Sequence, residues 1–236
     1  MSHAQIAKQT QTNLYQTLID PLKTMKPTFL TLSLLLFVLT TYFSLSFAQP
    51  SEQVFDRNGN PMFPGGKFYI MPAIFGAAGG GLRLGKTGNS KCPLTVLQDY
   101  SEVVNGLPVK FTRLVGGIDI ISTNTPLDIA FTTKPECAES SKWVLVDEYS
   151  KLTGPWVSIG GTEDIKGKDI LNGVFQIQKH GFGYKLVFCP EITAPPGACY
   201  DIGRRNDVTG RRLILAENDP FEIVFVDATG NGSSVV

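Results

Sequence analysis

Side chains that could carry out catalysis are scarce in this chain of 236 residues. It has two histidines, His3 and His180, and neither a Gly-x-Ser-x-Gly nor a His-Glu-x-x-His motif. A serine or cysteine hydrolase needs a base aligned with its nucleophile, whereas His180 lies in a sequence typical of a surface turn. The acidic pairs Asp147-Glu148 and Glu163-Asp164 could serve glycoside hydrolysis, but solvated loop charges explain them better. The sequence therefore predicts no enzyme.

Cysteine is the second residue type that could do chemistry here, at Cys92, Cys137, Cys189 and Cys199. In an exported chain an even number predicts disulfides, and four cysteines allow three connectivities. Pairing in sequence order is the simplest of these, and it would close one short loop around the turn-forming residues Pro195-Pro196-Gly197. Because CxxC-type and Cys/His spacings are both missing, we predict no metal and no cofactor.

The glycine-rich stretch Gly76–Gly85 does not match a phosphate-binding loop. It lacks the GxGxxG spacing of a dinucleotide-binding turn and follows no βαβ pattern. We interpret it as a flexible hairpin connection. The formal net charge of +0 also provides no basic field that would attract nucleic acid.

The N-terminal part has the pattern of a secretory leader. Residues Phe29–Phe47 are almost entirely apolar, Ser or Thr, with Lys23 and Lys26 before them and Ser46-Phe47-Ala48 at the end. A basic region, an apolar core and small residues two apart predict a signal peptide that is cleaved after Ala48. A transmembrane anchor is the alternative, because the apolar run approaches spanning length. Met25 would make an ordinary start, so Met1–Thr24 is interpreted as an upstream extension.

These features predict a leader over residues 1–48 and a single domain over residues 49–236. We expect the mature protein to be secreted to the extracellular space or delivered to the vacuole, and to be free of the membrane after cleavage. Asn231-Gly232-Ser233 is a sequon for N-glycosylation, which export would make usable. A monomer is expected.

Beyond Gln49 the sequence predicts an all-β fold. It has no long helical pattern, and short β-branched and aromatic runs are separated by turn residues about every ten positions, as in a sandwich or barrel. The predicted strands are Lys67–Met71, Leu94–Gln98, Val109–Phe111, Ile118–Ile121, Leu127–Thr132, Trp143–Val146, Trp156–Ile159, Val174–Gln178, Tyr184–Phe188, Leu213–Leu215 and Phe221–Val226.

Three of these segments share one plan, in which a proline precedes alternating apolar and polar residues. They begin at Pro93, Pro126 and Pro220. The missing N–H of proline costs least at the start of a strand. The plan would suit a barrel with pseudo-threefold symmetry, and three unrelated strands that happen to begin with proline explain it equally well.

Ordered motifs along the chain resemble one known family. They are Val54–Met62, Gly65-Gly66, Phe68-Tyr69-Ile70, Thr87-Gly88-Asn89, Cys92–Val96, Gly154-Pro155, Tyr184–Pro190, Cys199, Asp201-Ile202-Gly203 and Arg211-Arg212-Leu213. In this order they resemble the plant Kunitz protease inhibitors of the soybean trypsin inhibitor type. The resemblance extends from about Ser51 to Val226, nearly the whole of the predicted mature chain.

The resemblance implies a β-trefoil, in which twelve strands in three pseudo-repeats form a six-stranded barrel capped by hairpins. It also implies the disulfides Cys92–Cys137 and Cys189–Cys199. Members of this family inhibit proteases by substrate mimicry, with a convex loop that enters the protease cleft. Such a loop binds tightly because most of its ordering entropy is lost before binding.

By resemblance the inhibitory loop of this chain is Thr112-Arg113-Leu114-Val115-Gly116-Gly117. Alignment from Gly106 places Gly116 at the position that faces the main specificity pocket of the protease. Arg113 would suit a trypsin-like pocket if the loop were reshaped, while Leu114 or Val115 would suit an apolar pocket. Two departures weaken strong trypsin inhibition. The two glycines loosen the backbone, and Pro64 replaces an asparagine that braces the loop in trypsin-inhibiting members.

Taken together, the sequence predicts a secreted Kunitz-type inhibitor that acts on a protease, with a serine protease as the first expectation. The alternative is a non-inhibitory trefoil protein of binding, defence or storage type that uses other loops, because one scaffold supports many functions.

Overall fold

The computed structural model describes residues 31–37, 51–74, 76, 78–117, 119–148, 154–191 and 198–229. Residues 31–37 are helical, and no helix within these ranges is long and apolar enough to cross a membrane. Contacts within the chain separate it into two compact units, Met1–Ala48 and Gln49–Val236. The described strands are β1 Phe68–Pro72, β2 Leu82–Gly85, β3 Thr95–Gln98, β4 Val109–Arg113, β5 Leu127–Phe131, β6 Trp143–Asp147, β7 Trp156–Ile159, β8 Asp169–Leu171, β9 Gly173–His180, β10 Gly183–Pro190, β11 Tyr200–Asp207, β12 Gly210–Ala216 and β13 Ile223–Asp227.

Six of the strands close into a barrel. Following the pairings in order gives β13, β1, β4, β5, β9 and β10, and β10 pairs back with β13 through Tyr184 and Ile223. Successive side chains along a strand point to opposite faces, so a barrel strand can bury one face in the core. In β5, for example, Leu127, Ile129 and Phe131 are buried, and the residues between them are half-buried.

Three hairpins cap one end of this barrel. They are β2–β3, β6–β7 and β11–β12, and their inner strands β3, β7 and β12 pair with one another in a triangle. The chain therefore repeats a four-strand unit three times, as β1–β4, then β5, β6, β7 and β9, then β10–β13. Strand β8 is an addition that pairs with β6. This arrangement is the β-trefoil that the sequence predicted, with thirteen described strands instead of twelve.

Aromatic and aliphatic side chains fill the barrel. The ring of Phe225 lies 5.4 Å from that of Phe111, edge to face, and 5.5 Å from that of Tyr184. Val54 and Met62, from the segment before β1, are completely buried in the same cluster. That segment is thus part of the core, and it crosses the end of the barrel opposite the cap.

The predicted strand Ile118–Ile121 is wrong. Residues 119–121 are bends and irregular backbone, and Ile118 lies outside the described residues. Ile121 is apolar because it is buried at the end of the barrel. Its N–H donates to Met62 O at 2.9 Å, and its carbonyl accepts from Val54 N at 2.9 Å. The apolar residues that predicted a strand here thus reflect the burial of Ile121 and not strand pairing.

The prediction missed β2, β8 and β11. Strand β11 has the sequence Tyr-Asp-Ile-Gly-Arg-Arg-Asn-Asp, in which charge hides the strand pattern. It forms because it pairs along its length with β12, from Asp201 with Ala216 to Asp207 with Gly210.

The three proline-led segments are not repeats of one another. The segment after Pro93 forms β3, the third strand of the first repeat, and the segment after Pro126 forms β5, the first strand of the second. The segment after Pro220 forms β13, the fourth strand of the last repeat. The pseudo-threefold symmetry is present, but the proline-led pattern does not indicate it, because the three segments occupy different places in the repeat.

The glycine-rich stretch is packed rather than flexible where the structure describes it. The N–H of Gly80 donates to Asp99 O at 3.0 Å, and that of Gly81 donates to Val104 O at 2.8 Å. A Cβ on Gly81 would lie 2.0 Å from Asn105 O. The glycines allow two backbone segments to approach more closely than any side chain would permit.

Candidate functional site

The connection between β4 and β5, residues 114–126, leaves the barrel at the end opposite the cap. We call it the β4–β5 loop. It begins where β4 and β5 make their last pair, Arg113 with Leu127. The N–H of Leu114 then donates to Pro126 O at 3.2 Å, which ties the departing arm of the loop to the returning one.

The returning arm of the loop is bound to the segment that precedes β1. Besides the two bonds of Ile121, the N–H of Thr123 donates to Glu52 O at 2.7 Å. The N–H of Glu52 in turn donates to the hydroxyl of Thr123 at 2.9 Å. Sequence reasoning assigned no role to residues 52–54, because a backbone partner leaves no signature in side-chain types.

Pro64 lies next to the base of the loop and has no N–H to donate. Its neighbours supply backbone hydrogen bonds on either side. The N–H of Gly65 donates to Phe111 O at 3.2 Å, and the carbonyl of Met62 accepts from Ile121. The backbone around Pro64 therefore braces both arms at the base of the loop.

The departing arm presents apolar side chains to solvent. Leu114 is 46% exposed and Val115 is 45% exposed, and Gly116 and Gly117 are exposed as well. Thr112, still within β4, is exposed and pairs with Asp128. The outer surface of this arm is thus mainly aliphatic.

Arg113 points along the loop instead of away from it. It is half-buried, and its Nη2 donates to the carbonyl of Gly116 at 3.3 Å. The guanidinium thus lies against the loop backbone, while the exposed apolar side chains are those of Leu114 and Val115.

Both disulfides are present and join neighbouring segments of the trefoil. Cys92–Cys137 links residues 45 apart, the approach to β3 and the segment after β5. Cys189–Cys199 links residues 10 apart, the end of β10 and the approach to β11. This is the pairing that the resemblance implied, and it leaves the β4–β5 loop itself without a cross-link.

The acidic pair Glu163-Asp164 is engaged structurally. Asp164 accepts the backbone N–H groups of Glu139 at 2.8 Å and Gly161 at 3.1 Å, and Glu163 forms an exposed ion pair with Lys166. His180 ends β9 opposite Gly183. Within the described ranges no group of acidic, histidine or cysteine side chains is arranged to hold a metal ion. Asn231 lies outside the described residues.

Perturbed ionisable groups lie in the cap. Burial raises the pKa of Asp99, but the N–H of Ser101 and the guanidinium of Arg83 outweigh it and hold that pKa below its ordinary value. Burial, followed by the charge of Arg211, lowers the pKa of Arg204. Arg204 also stacks 4.2 Å from the ring centre of Phe221. These groups fix the hairpins of the cap.

A groove of about 410 Å³ lies between the cap and the segment after β5, and it is lined by Arg83, Leu84, Pro93, Leu107, Thr133, Lys134 and Pro135. Both of its cationic groups already have protein partners. Arg83 pairs with Asp99, and the ammonium of Lys134 donates to Ala138 O. The groove therefore offers chiefly aliphatic walls, and the β4–β5 loop is the better candidate site.

A capped six-stranded barrel that carries a braced, exposed loop between strands β4 and β5 belongs to the class of β-trefoil inhibitor scaffolds. The model of the legume Kunitz family, described as trypsin and protease inhibitor, matches residues 54–227. The chain belongs to this family. Membership confirms the prediction of a Kunitz-type protease inhibitor and not an enzyme.

Two curated relatives are similar over most of their length. A Kunitz-type trypsin inhibitor-like 2 protein of Pisum sativum is 53% identical over 214 residues, which cover 88% of this chain and 95% of the relative. The subtilisin inhibitor CLSI-II of Canavalia lineata is 52% identical over 183 residues, which cover 75% and 93% respectively.

Two solved structures share the fold. A Kunitz-type trypsin inhibitor from Cicer arietinum is 56% identical with a TM-score of 0.71. Soybean trypsin inhibitor in its complex with porcine pancreatic trypsin is 31% identical with a TM-score of 0.64. Each match covers 75% of this chain and 99% of the other. The second structure shows this scaffold bound to a serine protease.

Proposed function

We propose that this protein inhibits serine proteases whose primary specificity pocket is apolar, and that Val115 enters that pocket. The observation that carries the proposal is the orientation of the loop side chains. Leu114 and Val115 face solvent, whereas the guanidinium of Arg113 lies against the carbonyl of Gly116. An apolar pocket gains from aliphatic side chains, whereas a trypsin-like pocket requires a cation that can reach its buried carboxylate.

Val115 is favoured over Leu114 because of the backbone. The N–H of Leu114 is held by Pro126 O at the base of the loop, and Val115 is one residue further from that anchor. The relative from Canavalia lineata, named as a subtilisin inhibitor, supports this class of target, as does a relative from Bauhinia rufa named as an elastase inhibitor.

Inhibition assays with subtilisin, elastase, chymotrypsin and trypsin test the proposal. We expect the first three to be inhibited more strongly than trypsin. Val115→Ala should raise the inhibition constants for sensitive proteases by about 10-fold, since it removes part of the buried aliphatic surface. Val208→Ala is the matched control, because Val208 is 95% exposed at the tip of a cap hairpin and its truncation should leave inhibition unchanged.

Mass mapping of the slowly cleaved loop identifies the reactive bond. Cleavage after Val115 agrees with the proposal, whereas cleavage after Gly116 would support the position given by sequence alignment. Inhibition of trypsin alone would contradict the proposal, and inhibition of no protease would favour a non-inhibitory trefoil protein.

Secretion is part of the same proposal. The apolar run 29–47 and the small residues up to Ala48 support removal of a leader before Gln49. N-terminal sequencing of the protein exported from an expressing plant cell should begin at Gln49. A first residue within the apolar run, or a membrane-bound product, would contradict it. We also propose a monomer, which sedimentation of the mature protein tests.

A further inference from the structure

Arg113 is the last residue of β4, and its side chain is partly covered by the loop that follows it. Its Nε is buried, and its Nη2 reaches the carbonyl of Gly116 three residues further on. A side chain that entered a protease pocket would instead extend from the loop into solvent. The guanidinium therefore occupies the inner side of the segment Leu114–Gly117.

Gly117 is shaped to accommodate this group. Its φ is +138°, which L side chains rarely adopt, and a Cβ there would lie 3.1 Å from Nη2 of Arg113. The space beside Gly117 is thus taken by the guanidinium. A flexible pair of glycines, which would otherwise raise the ordering cost of the loop, is held from within by a charged donor.

We propose that Arg113 is a positioning residue that braces the inhibitory loop through the carbonyl of Gly116, beside a backbone in which Pro64 offers no side-chain donor. This inference rests on the proposed function of the loop. A charged donor makes a stronger hydrogen bond than a neutral one, and a loop held in its bound shape loses less entropy on binding. The planar fork of arginine also reaches along the backbone in a way that the single ammonium of lysine does not reproduce.

The test compares Arg113→Ala with Lys110→Ala. Lys110 is an exposed cation on the same strand, so its removal matches the loss of charge without touching the loop. We expect Arg113→Ala to raise the inhibition constants for all sensitive proteases by a common factor of about 3 to 10, a value reduced by the solvent exposure of this hydrogen bond. Cleavage of the loop should also become faster, and Arg113→Lys should recover only part of the loss. Lys110→Ala should change neither quantity.

Two results would overturn the inference. If Arg113→Ala abolished inhibition of trypsin and left that of subtilisin unchanged, Arg113 would be the pocket residue. If it changed neither the inhibition constants nor the cleavage rate, the hydrogen bond to Gly116 would not position the loop.

A measurement on the free protein separates this inference from the proposed function. We expect the backbone NMR order parameters of Leu114–Gly117 to fall in Arg113→Ala and to stay unchanged in Lys110→Ala. This result would support the brace even if the wild-type protein inhibited none of the proteases tested. Unchanged order parameters in Arg113→Ala would refute the brace, whatever the inhibition assays show.

Discussion

At the capped end of the barrel, the buried side chain of Gln98 links several segments, whereas at the opposite end the β4–β5 loop is held mainly by bonds between backbone groups. In the cap, fully buried Gln98 donates to Ala78 O at 2.7 Å and to Gly80 O at 3.0 Å. Its side-chain oxygen accepts from Arg204 at 2.9 Å and from Arg211 at 3.3 Å.

The loop end relies on carbonyl and N–H groups of Glu52, Met62 and Pro126, to which Arg113 and Thr123 each add a side chain. Backbone bonds do not depend on which side chain is present. The exposed loop residues can therefore be exchanged with little effect on folding, whereas exchanges of buried residues in the cap should destabilise the fold. The residues that stabilise the fold and the residues proposed to set specificity therefore lie at opposite ends of one barrel.

The largest expected contrast is between two leucines. Leu97 lies in β3 and has no exposed surface, so Leu97→Ala should cost about 2–5 kcal/mol of unfolding free energy through lost burial and a cavity. Leu114→Ala should change it by less than about 0.5 kcal/mol. Chemical denaturation of both variants measures the difference. Equal losses of unfolding free energy would contradict the view that the cap contributes more to stability than the loop.

The two disulfides offer the next contrast. In the chain-entropy model, removing Cys92–Cys137, which links residues 45 apart, should cost about 4 kcal/mol, and removing Cys189–Cys199, which links residues 10 apart, about 2.7 kcal/mol. Paired Cys→Ala variants studied by thermal unfolding would show this as a lower melting temperature for the first pair. Equal losses would indicate that the unfolded chain retains structure.

A smaller effect is expected at Asp99, whose carboxylate accepts from Arg83 Nε and from the N–H of Ser101. Because its pKa is lowered in the folded state, the charged form stabilises the fold above the pKa of the unfolded chain. That contribution is lost as the pH falls through the folded pKa. Asp99→Asn should cost about 1–2 kcal/mol near pH 7, and the cost should shrink below about pH 4. A pH-independent difference would show that charge is not the cause.

Sequence reasoning succeeded where the residues of a strand specify it locally. Trp156–Ile159 was predicted with its observed bounds, and Leu127–Phe131 within one residue, because β-branched and aromatic runs flanked by turn residues specify a strand locally. Strand β11 was missed because its formation depends on β12 and the cap, and not on its own residues.

For the candidate site, resemblance proposed the loop, but the hydrogen bonds within it could not be predicted from the sequence. Arg113 pairs with a backbone carbonyl, and any residue type provides one, so no residue pattern could reveal the partner of the guanidinium. The same reason hid the anchoring role of residues 52–54, whose contacts with the loop are largely between main-chain groups.

The closed ring of barrel strands also affects the resistance of the protein to proteolysis. Endoproteases bind their substrates as extended chains that add to an enzyme strand, which requires free N–H and C=O groups on the substrate. Each strand of the ring has a neighbour on both sides, so the ring has no free edge strand. The ring strands thus offer an attacking protease less extended backbone than the exposed β4–β5 loop does.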